Sequence, residues 1–154
     1  MILRPYIPSD FSALYRVEEL SFVPPLRFDR RYMRRLVKKS KAAVWVAEVD
    51  GQIVGFAIAE RSRSREQTVA YIQTIEVLSD FRGRGIATQL LMHIEETVRQ
   101  AGASILWLHV DSTNSSAVRL YQSQGYVALG REENFYPQGN AAIAFRKQLK
   151  PRGL

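Results

Sequence analysis

The stretch Tyr71–Leu91, YIQTIEVLSDFRGRGIATQLL, constrains this chain more than any other. Its opening, Tyr71–Leu78, is rich in β-branched and aromatic residues and reads as a strand. Ser79-Asp80 reads as a turn, Arg82-Gly83-Arg84-Gly85-Ile86-Ala87 follows, and the run beyond has helical character. A strand, a glycine turn and a helix start aim successive backbone N–H groups at one point, where the helix N-terminus adds positive potential. Arg82 and Arg84 bring full charges beside it, so the segment has the make-up of a phosphate cradle. The same residues also suit a tight strand-to-helix connection that needs positive φ, and the pattern alone serves both readings. It is not a Walker loop, because no Gly-Lys-Ser/Thr follows. Nor is it the dinucleotide fingerprint, which needs a third small position and an acidic residue at the end of the next strand.

The flanking sequence predicts an alternation of strands and helices. Ile2–Tyr6 reads as a short strand, and Pro8-Ser9-Asp10 as a helix start followed by Phe11, Leu14, Val17 and Leu20 at helical spacing. Pro24-Pro25 breaks that helix. Wound as a helix, Arg27–Lys41 sets Arg30, Arg31, Arg34, Arg35, Lys38 and Lys39 on one half and Tyr32, Met33, Leu36 and Val37 on the other. Ala43–Val49 and Gln52–Arg61 are β-rich runs joined by Asp50-Gly51, a strong hairpin signal. A polar loop at Ser62–Glu66 leads to a strand over Thr68–Val77, and a helix over Ile86–Gln100 is closed by Ala101-Gly102. Ile105–Val110 is the next strand. Asp111-Ser112-Thr113-Asn114 is rich in N-cap residues and starts a helix through Ser123, and strands over Tyr126–Glu132 and Ala141–Leu149 complete the order. No repeat or linker divides the chain, so a single domain over residues 1–154 is expected: an α/β layer structure with a partly antiparallel sheet.

Composition narrows the chemistry. The chain has no cysteine, which excludes disulfides, a thiolate nucleophile and cysteine-type zinc sites, and its two histidines, His93 and His109, cannot build a His-rich metal site. No metal is expected. No apolar run approaches membrane-spanning length, and the start MILRPYIPSD lacks the features of a signal peptide, so a cytoplasmic protein with no membrane partner is expected. A net charge of +7 favours polyanionic partners without choosing among coenzyme A, ribosomal RNA and acidic peptides. Much of the excess lies in the Arg27–Lys41 helix, which reads either as a solvated face or as a docking face for the ribosome or an acidic protein.

The order Arg82-x-x-Gly85-x-Ala87 resembles the pyrophosphate loop of the GCN5-related N-acetyltransferases (GNAT). A second stretch, Asn114-Ser-Ser-Ala-Val-Arg-Leu-Tyr121-Gln-Ser-Gln-Gly125-Tyr126, resembles that family's Asn-x-x-Ala-x-x-Leu-Tyr-x-x-x-Gly-Phe/Tyr pattern. Two motifs at the family's separation are far more specific than either alone, and the element order extends the likeness over essentially the whole chain. The resemblance implies the GNAT fold, a mixed, mostly antiparallel sheet of about seven strands flanked by about four helices. It implies acetyl-CoA as cosubstrate, held by Ile75, Val77, Arg82, Gly83, Arg84, Gly85, Ile86, Ala87, Asn114 and Tyr121.

Within the family the chain is most similar to the RimI-like and Naa50-like protein N-terminal acetyltransferases. The similarity rests on Leu108-His109-Val110 before Ser112-Thr113-Asn114, on Tyr71-Ile72-Gln73-Thr74-Ile75, and on Asn134-Phe135-Tyr136-Pro137-Gln138-Gly139, which resembles a wall of the peptide groove. Ser21-Phe22-x-Pro24 resembles the first substrate loop. The resemblance implies catalytic roles for His109, Tyr121 and Tyr71, and acceptor contacts for Phe22, Pro24, Gln73, Phe135 and Tyr136. The departures are His109 where the RimI-like enzymes carry Glu, Phe135 for a wall Tyr, and Asn140-Ala141-Ala142 where Glu-Asp usually follows the glycine.

The expected reaction is attack of a neutral amine on a thioester. An α-amine has an ordinary pKa of about 7.7–8.0 against about 10.4 for lysine, so a peptide N-terminus needs less help near neutrality. A histidine suits removal of its proton, directly or through a water that Tyr71 orients. A free N–H near Val77 would face the oxyanion, and Tyr121 would donate to the departing thiolate. Strict alternation puts Tyr71, Gln73, Ile75 and Val77 on one face and Glu76 on the other, where pairing with a nearby Arg is the ordinary role for Glu76. His93 reads as surface or packing. Two other readings stay open: an N-acetyltransferase acting on a small-molecule amine, and a non-catalytic RNA- or ribosome-associated module.

Overall fold

The computed structural model describes residues 1–150; the last four positions of the expected domain lie outside it. The elements are β1 (Ile2–Pro5), α1 (Phe11–Ser21), α2 (Arg30–Lys38), β2 (Ala42–Val49), β3 (Gln52–Ser64), β4 (Gln67–Val77), α3 (Ile86–Gln100), β5 (Ala103–Asp111), α4 (Ser115–Ser123), β6 (Val127–Glu132) and β7 (Ala142–Gln148). Seven strands form one sheet in the order β1-β2-β3-β4-β5-β7-β6. Among the described residues only β4 and β5 pair in parallel; the other pairs are antiparallel. The element order, the strand number and the four helices agree with the sequence reading. The polar loop expected at Ser62–Glu66 is shorter: β3 runs to Ser64, and β4 starts at Gln67.

Two apolar cores sandwich the sheet. On one face α3 and α4 cover Ala47, Ala57, Ala59, Ile72, Leu106, Leu108 and Phe145, with Leu90, Leu91 and Ile94 buried from α3. On the other, α1 and α2 cover Val46, Phe56 and Ile58 with Phe11, Leu14, Val17, Met33 and Leu36. The basic helix behaves as its pattern predicts, burying Met33, Leu36 and Val37 and exposing Arg31, Arg34, Arg35 and Lys38. It is shorter than its charge run, because the Asp29 carboxylate caps it by accepting from the Arg31 amide. Arg34 lies over the Phe11 ring at 4.1 Å. His93 stacks on Trp45 at 4.3 Å, a packing role.

One irregularity changes the faces. Ile58 pairs with Thr74 and Ala59 pairs with Ile72, which leaves Gln73 as an extra residue bulged out of β4. Paired residues share a face, so Tyr71, opposite Glu60, lies on the α1/α2 side with Thr74 and Glu76. Ile75 and Val77, opposite Ala57 and Gly55, lie on the α3 side with Ile72. The single shared face expected for Tyr71, Gln73, Ile75 and Val77 is therefore corrected. Glu76 does share the face of Tyr71, and its carboxyl meets Glu18 of α1 rather than an arginine.

Candidate active site

The parallel pairing of β4 and β5 stops at Ile72–Leu108, although both strands continue. Beyond that point the strands diverge and open a gap through the sheet. The Leu78 N–H donates to the Val54 carbonyl at 2.8 Å. Bonded positions alternate along an antiparallel ladder, so Ile75 and Val77 turn their backbone groups away from β3 and into the gap. The Val77 carbonyl there accepts from Arg82 Nε at 3.1 Å.

A cleft of about 380 Å³ fills the α3 side of the gap. Its lining includes Ile75, Val77, Arg82, Gly83, Gly85, Ile86, Ala87, Asn114 and Tyr121, together with Phe22 from the end of α1. Gly83 and Gly85 have φ of 77° and 78°, the left-handed conformation that residues with a Cβ avoid. Gly85 is the N-cap of α3, so the amides of the first helical turn, which have no intrahelical acceptor, open onto the cleft. Asn114 caps α4 by accepting from the Ala117 amide at 3.2 Å. Arg84 does not line the cleft; its guanidinium lies 4.8 Å from the centre of the Phe81 ring.

A second cluster occupies the α1/α2 side. The Tyr71 hydroxyl is 2.9 Å from His109 Nδ1. Phe135 stacks on His109 at 4.4 Å, and Trp107 meets both Tyr71 and His109 edge-on. The loop carrying Phe135 and Tyr136 is closed by their amides, which donate to the Asn140 carbonyl at 3.1 Å each. Asn140, in place of the usual acidic pair, anchors the loop by donating from Nδ2 to Asp111 at 3.0 Å. Gln73 reaches Glu60 at 3.3 Å, while Pro24 is exposed and lines neither region.

The two regions meet through phenol groups. Tyr121 is 6% exposed and packs against Tyr126 and Phe145. Burial raises its pKa, and the neighbouring Tyr136 and Tyr71 raise it further. Burial, then Tyr71 and Asp111, push Tyr136 up to about 12. Burial likewise raises Tyr71, against a lowering by the His109 backbone. All three phenols are thus raised chiefly by burial, and each of Tyr121 and Tyr136 is raised further by Tyr71. Among the described residues no group of three or more His, Asp or Glu could hold a metal ion.

Sequence reasoning missed Glu132, whose carboxylate lies 3.2 Å from His109 Nε2, and Trp107. Trp107 stands two residues before His109 on the same strand, a signal that was readable. Nothing local pointed to Glu132, which reaches His109 from a strand that does not pair with β5.

Residues 9–126 match the acetyltransferase (GNAT) family. Among curated proteins, the chain is 34% identical over 93 residues to a streptothricin acetyltransferase of Streptomyces lavendulae, covering 60% of this chain and 48% of that one. It is 25% identical over 138 residues to N-alpha-acetyltransferase 50 of Danio rerio, covering 89% and 80%. The chain spans about half the length of several curated relatives it matches. Its fold superimposes on the ribosomal-protein-S18-alanine N-acetyltransferase of Escherichia coli with a TM-score of 0.82, at 22% identity, covering 99% of this chain and 97% of the other.

Proposed function

The chain belongs to the acetyltransferase (GNAT) family, and from that membership we propose that it transfers an acetyl group from acetyl-CoA to the α-amine of a peptide or protein N-terminus. The observation that carries this reading is the gap where β4 and β5 part beyond Ile72 and Leu108, with the glycine-lined cleft and Tyr121 at one side and the Tyr71–His109–Phe135 cluster at the other. The residues of the cleft fit acetyl-CoA. The first-turn amides of α3, with Gly83, Gly85 and Arg82, suit a diphosphate, and the outward backbone groups of Ile75 and Val77 suit an amide-bearing arm. Bound there, acetyl-CoA supplies an activated thioester carbonyl.

The chain's own residues then divide the work. His109, through Tyr71, receives the proton that the attacking amine must lose. The Val77 N–H faces the negative charge that develops on the carbonyl oxygen. Tyr121 keeps its proton because its pKa is raised, and its hydroxyl donates to the departing sulfur. Phe22, Phe135 and Tyr136 border the entrance for the acceptor, and the exposed cations of α2 suit an acidic surface on a substrate protein or the ribosome.

A second reading takes a small-molecule amine as acceptor. It is favoured by Asn140-Ala141-Ala142 after Gly139 and by the likeness to the streptothricin enzyme. Thiol release from acetyl-CoA, measured with a panel of short peptides and a panel of polyamines and aminoglycoside-like amines, separates them. Turnover with peptides supports N-terminal acetylation. Turnover confined to small amines replaces it with the second reading, and salt-sensitive RNA binding without thiol release would overturn both.

A further inference from the structure

We propose that Glu132 is a positioning residue for His109, making Tyr71, His109 and Glu132 a single proton-transfer chain. This rests on the acetyltransferase reading above and adds a residue to it.

β5 and β6 never pair, because β7 runs between them. His109 stands opposite Ala144, which stands opposite Gly130; Asp111 stands opposite Ala142, which stands opposite Glu132. Residues paired across strands share a face, so all six line the same side of the sheet. On that side, between His109 and Glu132, the intervening strand offers the methyl groups of Ala142 and Ala144, with the Arg146 cation next along it opposite Trp107, and β6 offers no side chain at Gly130. Adjacent strands lie about 4.8 Å apart, so β5 and β6 are roughly 10 Å apart. A glutamate and a histidine can meet over that distance only across a floor this low, and they do, at 3.2 Å.

The negative charge of the Glu132 carboxylate, 3.2 Å from Nε2, favours the tautomer that carries its proton on that nitrogen. Nδ1 is then bare, and it is the atom 2.9 Å from the Tyr71 hydroxyl. Tyr71 is therefore the donor and His109 the acceptor, the direction that proton removal from an acceptor amine requires. As Tyr71 takes the amine's proton it passes its own to Nδ1, and the positive charge formed on the ring lies beside the Glu132 carboxylate. Phe135 at 4.4 Å holds the ring plane. The titratable groups around His109 are Tyr71 from β4, Glu132 from β6, Tyr136 from the β6–β7 loop and Asp111 two residues along β5. Tyr32 of α2 stands behind Tyr71. Asp111 is already engaged by Asn140 and by Thr113, which leaves Glu132 as the carboxylate on the ring.

Glu132 is half exposed, so Glu132→Gln and Glu132→Ala should fold as the wild type does. The glutamine variant keeps the side chain's size beside Nε2 but removes the charge; the alanine variant removes both. Peptide acetylation is measured against pH, and the His109 ring signals are followed by NMR over the same range. Glu132→Gln is expected to lower kcat/KM about threefold to tenfold and to move its acid limb down by about half a pH unit, the size an exposed charge pair supports. The ring signals should move with it. Glu132→Ala should lose more, with acetyl-CoA affinity unchanged in both. An unmoved acid limb and unmoved ring signals in Glu132→Gln overturn the proposal. A loss of rate with the acid limb in place also overturns it, since it makes Glu132 an acceptor contact. If the wild type acetylates nothing but the ring signals still shift, the acetyltransferase reading fails while the Glu132–His109 coupling stands.

Discussion

Glu76→Gln should stabilise this protein near neutral pH and not in acid. The carboxyls of Glu18 and Glu76 meet in the core beneath α1, 1% and 6% exposed. Thr74 Oγ1 donates to Glu76 Oε2 at 2.7 Å, and the Phe28 amide donates to Glu18 Oε2 at 3.0 Å, while Oε1 of each has no donor from another residue. A proton held between the two carboxyls would satisfy both oxygens, and the raised Glu76 pKa accords with it. Burial, and then the Glu18 carboxyl, push Glu76 well above the ordinary carboxylate value of 4.5. A group whose folded value lies above its unfolded value contributes stability that is complete below the unfolded value and is lost as pH rises through the folded one. The wild type therefore loses stability as pH climbs from about 4.5. Glutamine keeps a carbonyl for Thr74 and presents an amide N–H to Glu18 at every pH. Keeping a carboxyl of ordinary value protonated at pH 7 costs at most about 3.4 kcal/mol, at about 1.36 kcal/mol per pH unit. Allowing for imperfect amide geometry, a gain of about 1–2 kcal/mol is expected, or about 3–6 °C in Tm for a chain of this size. Thermal melts of both proteins at pH 4.5, 6.0 and 7.5 measure it. A variant no more stable than wild type at pH 7.5, or a gain as large at pH 4.5, would refute the shared proton.

Three further outcomes follow from the cleft. Tyr121→Phe keeps the packing against Tyr126 and Phe145 but loses the donor; kcat should fall about 100-fold, with acetyl-CoA affinity, measured by calorimetry, within about twofold. Gly85→Ala forces a Cβ into φ 78°; denaturant melts should show a loss of about 1–2 kcal/mol, and acetyl-CoA should bind several-fold more weakly as the first-turn amides shift. Arg82→Ala should raise the KM for acetyl-CoA about tenfold, whereas Arg84→Ala, whose side chain does not line the cleft, should change it less than twofold.

Most of the fold was legible because its signals are local. Asp50-Gly51 marks the hairpin, the basic helix announces its buried stripe at Met33, Leu36 and Val37, and Asn114 caps α4. The cleft residues follow from the same kind of signal, a glycine turn before a helix. Glu132 and the Glu18–Glu76 pair were not legible, because each joins residues that only the tertiary fold brings together. The low floor that admits Glu132 is written as Ala142 and Ala144, yet small residues on a strand carry no message until their neighbours are known.

The bulge at Gln73 was the most consequential thing the sequence concealed. A period of two describes a strand by itself, but an extra residue is defined only against the partner strand, here β3. In unbroken register, Ile75 on the α3 face would put Tyr71 there too, away from the acceptor side. The extra residue lets one strand serve both faces: Ile75 and Val77 toward the cleft, and Tyr71 toward His109. The two halves of the site communicate only where β4 and β5 part beyond Ile72 and Leu108. Regular pairing through that point would satisfy more backbone hydrogen bonds and close the opening between the cleft and the Tyr71–His109 cluster, through which the proposed reaction brings a thioester to an amine.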